Sequence, residues 1–96
     1  MIRHIVFFKF KENSSDNERE SLILALEALK EKIAEVRELK VGRDIGHKPN
    51  SYHIALDSVF DSFDDVETYA VHPDHVEVVT MVKELCESSV KVDCEF

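Results

Sequence analysis

The residues of this chain that have the means for chemistry gather in one stretch, Tyr69-Ala70-Val71-His72-Pro73-Asp74-His75. It holds two of the five histidines among 96 residues, one on either side of a proline, with a tyrosine three residues upstream. Histidine titrates near neutral pH and can take or give a proton there. Tyrosine can hold or protonate a developing oxyanion. Tyr69 and His72 are one helical turn apart and share a face. His75 precedes Val78 and Val79 by three and four residues, so it points inward with them.

His4 and His53 fall within predicted strands. His4 goes with Val6 and Phe8, and His53 with Ala55 and Asp57; in neighbouring central strands the two histidines would lie side by side under the helices. These groups predict a pocket between sheet and helices. Tyr69 and His75 are its candidate catalytic pair. His4, Val6, Phe8, His53, Ala55 and His72 are its candidate ligand-binding lining. Any one of these histidines alone reads as a core group satisfied by a local partner. It is the clustering of titratable groups that marks a site.

The elements that must position them follow from the apolar periodicity. Ile2 to Phe10 is a strand with His4, Val6, Phe8 and Phe10 on one face and Arg3, Ile5, Phe7 and Lys9 on the other. Both faces carry large apolar residues, so both are covered, one by this chain's helices and the other by a second copy. Ser15 and Glu18 have the form of a capping box. A helix follows to about Glu35, with Leu22, Leu26, Leu29, Ile33 and Val36 as one stripe. Leu39 to Gly46 is a weaker strand with Val41 and Ile45 on one face, and Gly46 supplies the unusual dihedrals of the following turn. Tyr52 to Phe60 is a central strand, with Tyr52, Ile54, Leu56 and Phe60 opposite His53, Ala55, Asp57 and Val59. Ser62 and Asp65 start a helix that stops at His72, because Pro73 disfavours helical geometry before it. Pro73 then opens a new helix to about Cys86. Ser89 to Phe96 is a strand near a sheet edge, its apolar residues Val90, Val92, Cys94 and Phe96 forming one buried face. The order is strand, helix, strand, strand, split helix, strand. That is the split βαβ pattern of an α+β, ferredoxin-like fold with a four-stranded antiparallel sheet and helices on one face.

Composition narrows the function. Apolar content of 44% and charged content of 33% fit one globular domain spanning 1–96. A net charge of −8 repels phosphates, so neither nucleic acid nor an anionic membrane surface is an expected partner. No apolar run approaches the roughly 18 residues that span a bilayer. The short apolar run after Arg3 and His4 lacks the length and cleavage site of a signal peptide, which places the chain in the cytoplasm. Cys86 and Cys94 have no metal-type spacing and are expected to be reduced. His72 and His75 lack the four-residue step of helical histidine sites and have no third ligand at a telling spacing, so no metal is expected. No nucleophile elbow surrounds Ser88 or Ser89, and no glycine-rich phosphate loop exists.

Taken together, Ile2-Arg3-His4-Ile5-Val6-Phe7-Phe8-Lys9-Phe10-Lys11, the stretch Leu56 to Phe63, Tyr69, His72, Pro73, His75 and Val76, and the closing Val92-Asp93 carry a resemblance. Over nearly its whole length the chain resembles the stress-responsive dimeric α/β-barrel (Dabb) domain family. The resemblance implies a protomer that pairs sheet to sheet into a β-barrel homodimer, with Ile5, Phe7, Ile54 and Leu56 lining the barrel. Most members have no assigned activity. Plant polyketide cyclases of the family close a linear polyketide by aldol-type condensation, using a tyrosine and the second histidine of the pattern. Those positions fall on Tyr69 and His75, and histidines matching His4 and His53 line the pocket. No cofactor is implied. Two readings follow: a dimeric protein that binds a small, mostly apolar molecule, with a role in stress, and an acid/base enzyme with His75 as general base and Tyr69 as oxyanion stabiliser. A third, haem-type monooxygenase activity, rests on analogy with the same barrel architecture.

Overall fold

In a computed structural model covering residues 1–96, the chain runs β1 (Ile2–Phe10), α1 (Asp16–Lys32), β2 (Glu38–Arg43), β3 (Ile54–Phe60), α2 (Phe63–Val71), α3 (Pro73–Leu85) and β4 (Cys86–Glu95). The strands form one antiparallel sheet in the order β2-β3-β1-β4. The core lies between its inner face and the helices, with Leu22, Leu26 and Leu29 of α1 against Phe8, Leu56 and Phe60. This is the predicted ferredoxin-like, α+β architecture.

The helix starts are set by side-chain caps. Ser15 Oγ accepts the Glu18 N–H at 3.1 Å and Glu18 Oε1 accepts the Ser15 N–H at 2.8 Å, a complete capping box. The α1 helix ends at Lys32 rather than Glu35. Ile33 is extended, and the Val36 N–H reaches back to its carbonyl at 3.2 Å. Both side chains stay buried, so the apolar stripe continues through a turn that leads the chain into β2. The expected second strand likewise stops early, at Arg43. Ile45 is 91% exposed and does not share a buried face with Val41. In the turn beyond it the left-handed residue is His47, φ 49°, not Gly46. Asp44 Oδ2 holds that conformation by accepting the His47 N–H at 2.8 Å.

Register decides which residues meet. Because β1 and β3 run antiparallel, His4 stands opposite Ser58, Val6 opposite Leu56 and Phe8 opposite Ile54 on the inner face. Ile54 and Leu56 are therefore core residues, and the expectation that they line a dimer barrel is corrected. The outer face pairs Ile5 with Asp57 and Phe7 with Ala55. The same antiparallel register separates His4 from His53. His53 lies near Phe10, six residues further along β1, which is about 20 Å at the rise of an extended strand.

The edge strand β4 also differs from expectation. It follows α3 without a loop, and it pairs Val92 with Ile5 and Val90 with Phe7. Its apolar side therefore joins the outer face, where Val90, Val92 and Phe96 remain 48%, 49% and 84% exposed. Its polar side, with Lys91 and Asp93, turns toward the helices.

Candidate functional site

A cavity of about 260 Å³ lies between the inner sheet face and the helices. β1 contributes His4, Val6 and Phe8, α2 contributes Val66, Tyr69 and Ala70, and α3 contributes His75, Val78, Val79 and Val82. Leu26 and Leu56 line it further, and Ser89 and Lys91 of β4 complete it.

The break between α2 and α3 orients Tyr69, His72 and His75. α2 ends at Val71, and Pro73 occupies the first turn of α3, where its missing N–H removes no helical bond. His72 sits between them as the N-cap of α3, its Nδ1 accepting the Asp74 N–H at 3.1 Å. The reversal of direction brings His75 back over Tyr69, with ring centroids 4.3 Å apart. The two rings are in contact but not hydrogen-bonded. The Tyr69 hydroxyl is buried and has no partner. Burial drives its pKa far above the ordinary phenol value, so it stays a protonated donor.

His75 has the opposite disposition. Its Nδ1 is 3.0 Å from the Ala70 carbonyl oxygen, so Nδ1 donates and Nε2 keeps its lone pair. Burial pushes its pKa down; the Ala70 bond opposes this, and His4 and His72 reinforce it. Near neutral pH the pair thus offers one fixed donor and one neutral base. His4 forms the next layer. Its Nδ1 lies 2.5 Å from Asp93 Oδ1, and its ring meets Tyr69 edge-on at 6.0 Å. Burial raises the Asp93 pKa, but the His4 hydrogen bond and the Lys91 charge outweigh it and hold the carboxyl below its usual range.

With this geometry in view, the chain also matches the stress responsive A/B barrel domain (Dabb) family over residues 2–96. It belongs to the Dabb family. A stress-response A/B barrel domain-containing protein of Arabidopsis thaliana is 33% identical over an alignment of 96 positions that covers 97% of this chain and 36% of that protein. The chain thus spans about a third of the length of that relative. A dimeric protein of unknown function and ferredoxin-like fold from Bacteroides fragilis is 39% identical, with a TM-score of 0.84, and the match covers 99% of this chain and 95% of that one. A hydroxynitrile lyase from Passiflora edulis is 26% identical, with a TM-score of 0.88, over 97% of this chain and 90% of that one.

Of the site residues expected from sequence, this Dabb chain brings Tyr69, His75, His4, Val6 and Phe8 around one cavity. Three lie elsewhere. His53 is at the far end of the layer, its Nδ1 accepting the Phe10 N–H at 2.9 Å and its ring stacked on Phe10. Ala55 is on the outer sheet face, because its register with Phe7 fixes its side. His72 is occupied as a helix cap and does not line the cavity. Asp93, Lys91 and Ser89 were missed. Strict alternation in β4 marks them as one face, but assigning the apolar side to the core turned that face outward. The deciding signal was the apolar outer side of β1, which needs apolar neighbours of its own. No group of three or more His, Cys, Asp or Glu side chains converges as a metal site. No helix is long and apolar enough to cross a membrane.

Proposed function

We propose that the protein is a homodimer that binds a small, mostly apolar molecule in the cavity between sheet and helices. The observation that carries this reading is the Tyr69 hydroxyl, buried without a partner beside an apolar cavity. A buried hydroxyl left unpaired costs on the order of 1–3 kcal/mol, which a ligand oxygen accepting from it would offset once the side chains that cover it give way. The cavity matches about nine water volumes, at roughly 30 Å³ each, so the enclosed part of the ligand is small. Dimerisation is supported by the outer sheet face, where Phe7, Val90 and Val92 stand together and half exposed. The Bacteroides fragilis relative is dimeric. Native mass spectrometry of the purified protein tests both parts. The expected result is a mass near twice 11.1 kDa with a small-molecule adduct. The adduct should be lost in Val78→Trp, which fills the cavity. A monomer at micromolar concentration overturns the dimer, and an adduct that survives Val78→Trp overturns the cavity.

A second reading, acid–base catalysis, is favoured by the His75 tautomer. Tyr69 donates to a carbonyl or alkoxide oxygen while His75 Nε2 takes or returns a proton. The Passiflora edulis relative is a hydroxynitrile lyase, and that class of reaction needs a base for the hydroxyl proton as cyanide leaves. Condensation at a carbonyl, as in the polyketide cyclases, asks for the same two groups. A haem-type monooxygenase gains no support from a cavity of about 260 Å³, which is too small for a haem.

A further inference from the structure

The rim of the cavity is asymmetric in a way that bears on the ligand. On the α3 side it is apolar beyond His75, with Val78, Val79 and Val82. On the β4 side it is polar: Ser89 and Lys91 are exposed, Lys91 standing opposite Val6 and Asp93 opposite His4. Lys91 is the one Lys or Arg around the cavity, in a chain with 12 basic against 20 acidic residues. Its only charged partner is Asp93, whose Oδ2 lies 3.5 Å from Nζ, at the far limit of a hydrogen bond. The other carboxylate oxygen holds His4 at 2.5 Å. An ammonium has three donors, so Lys91 keeps at least two for another acceptor. Its aliphatic stem can lie along Val6 while its charge stays at the mouth.

We infer that the ligand of this cavity carries a carboxylate, received at the rim by Lys91, on a mostly apolar body whose inner end bears the oxygen that accepts from Tyr69. This rests on reading the cavity as a ligand site, and it names the class: small carboxylic acids whose unbranched or aromatic apolar part ends in a carbonyl or hydroxyl oxygen. Lysine on an edge strand also discourages strand pairing between molecules, but that role does not distinguish charged from neutral ligands.

Octanoate and 1-octanol make a matched pair of probes, alike in apolar body and different in charge. Titration is followed by calorimetry and by the methyl NMR signals of Val78 and Val82. The expected result is that octanoate binds at least about tenfold more tightly than octanol. In Lys91→Met that advantage disappears while octanol binds as before. Equal binding of the two probes to the unmodified protein overturns the inference and leaves the cavity reading standing. So does a preference for octanoate that survives Lys91→Met. If neither probe shifts the Val78 and Val82 methyl signals, the cavity reading fails and this inference fails with it.

Discussion

The two ends of the helix–sheet layer are built from the same materials and differ in one buried group. At one end His53 accepts the Phe10 N–H and stacks on the Phe10 ring with centroids 5.9 Å apart and planes 12° apart. The Arg19 guanidinium lies 4.9 Å from that ring centroid. At the other end Tyr69 and His75 lie ring against ring, yet the Tyr69 hydroxyl has no partner and His75 has only Nδ1 engaged. Each end has a histidine beside an aromatic ring. Each histidine engages only its Nδ1, so what separates the two ends is the Tyr69 hydroxyl, a buried group with no partner that has no counterpart beside His53. Open capacity next to a cavity is what a ligand can use, and closed capacity is what a fold can use.

The largest test of that contrast is His53→Ala. β1 changes register against β4 between Lys9 and Phe10, and the Phe10 N–H is satisfied by His53. Removing the acceptor leaves that N–H unpaired, at about 1–3 kcal/mol. The lost stacking adds about 0.5–1.5 kcal/mol. Chemical denaturation should show a loss of about 1.5–4.5 kcal/mol, while ligand binding at the cavity stays as in the parent protein. A stable variant with weakened binding would merge the two ends into one site.

The fold was legible because period and punctuation agreed throughout. The Leu22–Leu26–Leu29 stripe, the Ser15–Glu18 box and Pro73 each fix an element by local physics. Much of the site was not legible, for a reason specific to sheets. Alternation tells which residues share a face but not which face is inside. For β1 the two faces are both apolar, and for β4 the apolar side is the outer one, so Asp93 and Lys91 were hidden by the residues between them. His53 misled for a related reason: its strand neighbour depends on antiparallel register, which places His4 opposite Ser58. That Tyr69 and His75 lie together was legible because their motif is short and contained in one helix break, where no long-range register intervenes.

A smaller effect is expected of Tyr69→Phe. At the closed end, loss of one partner is destabilising. Here the hydroxyl has no partner to lose, so stability should stay within about 1 kcal/mol of the parent and is expected to rise, since an unpaired buried polar group is removed. The ring keeps its packing against Phe60, His4 and His75. Ligand occupancy in native mass spectrometry should fall at the same time. Stability gained with function lost is the pattern of a functional group held at a cost to the fold. A clear loss of stability would instead place Tyr69 with His53 as a structural residue.

The smallest expected effect is in pH dependence, and it belongs to the open end alone. Burial, helped by His4 and His72, holds the His75 pKa below its ordinary value. The unfolded chain therefore takes up the proton more readily than the folded one, and protonation favours unfolding. This contribution to stability is full above the unfolded value, about pH 6.5, and is lost as pH falls from there through the lower folded value. Asp93, whose carboxyl is held below its usual range, adds its own loss only below about pH 4. Urea midpoints measured between about pH 8 and pH 5 should thus decline in the parent protein and decline less in His75→Gln. The other four histidines are common to both proteins, so the difference between the two curves isolates His75. Parallel curves would mean that His75 is as open to water in the folded chain as in the unfolded one. It could not then be the neutral base that the Ala70 carbonyl orients toward the cavity.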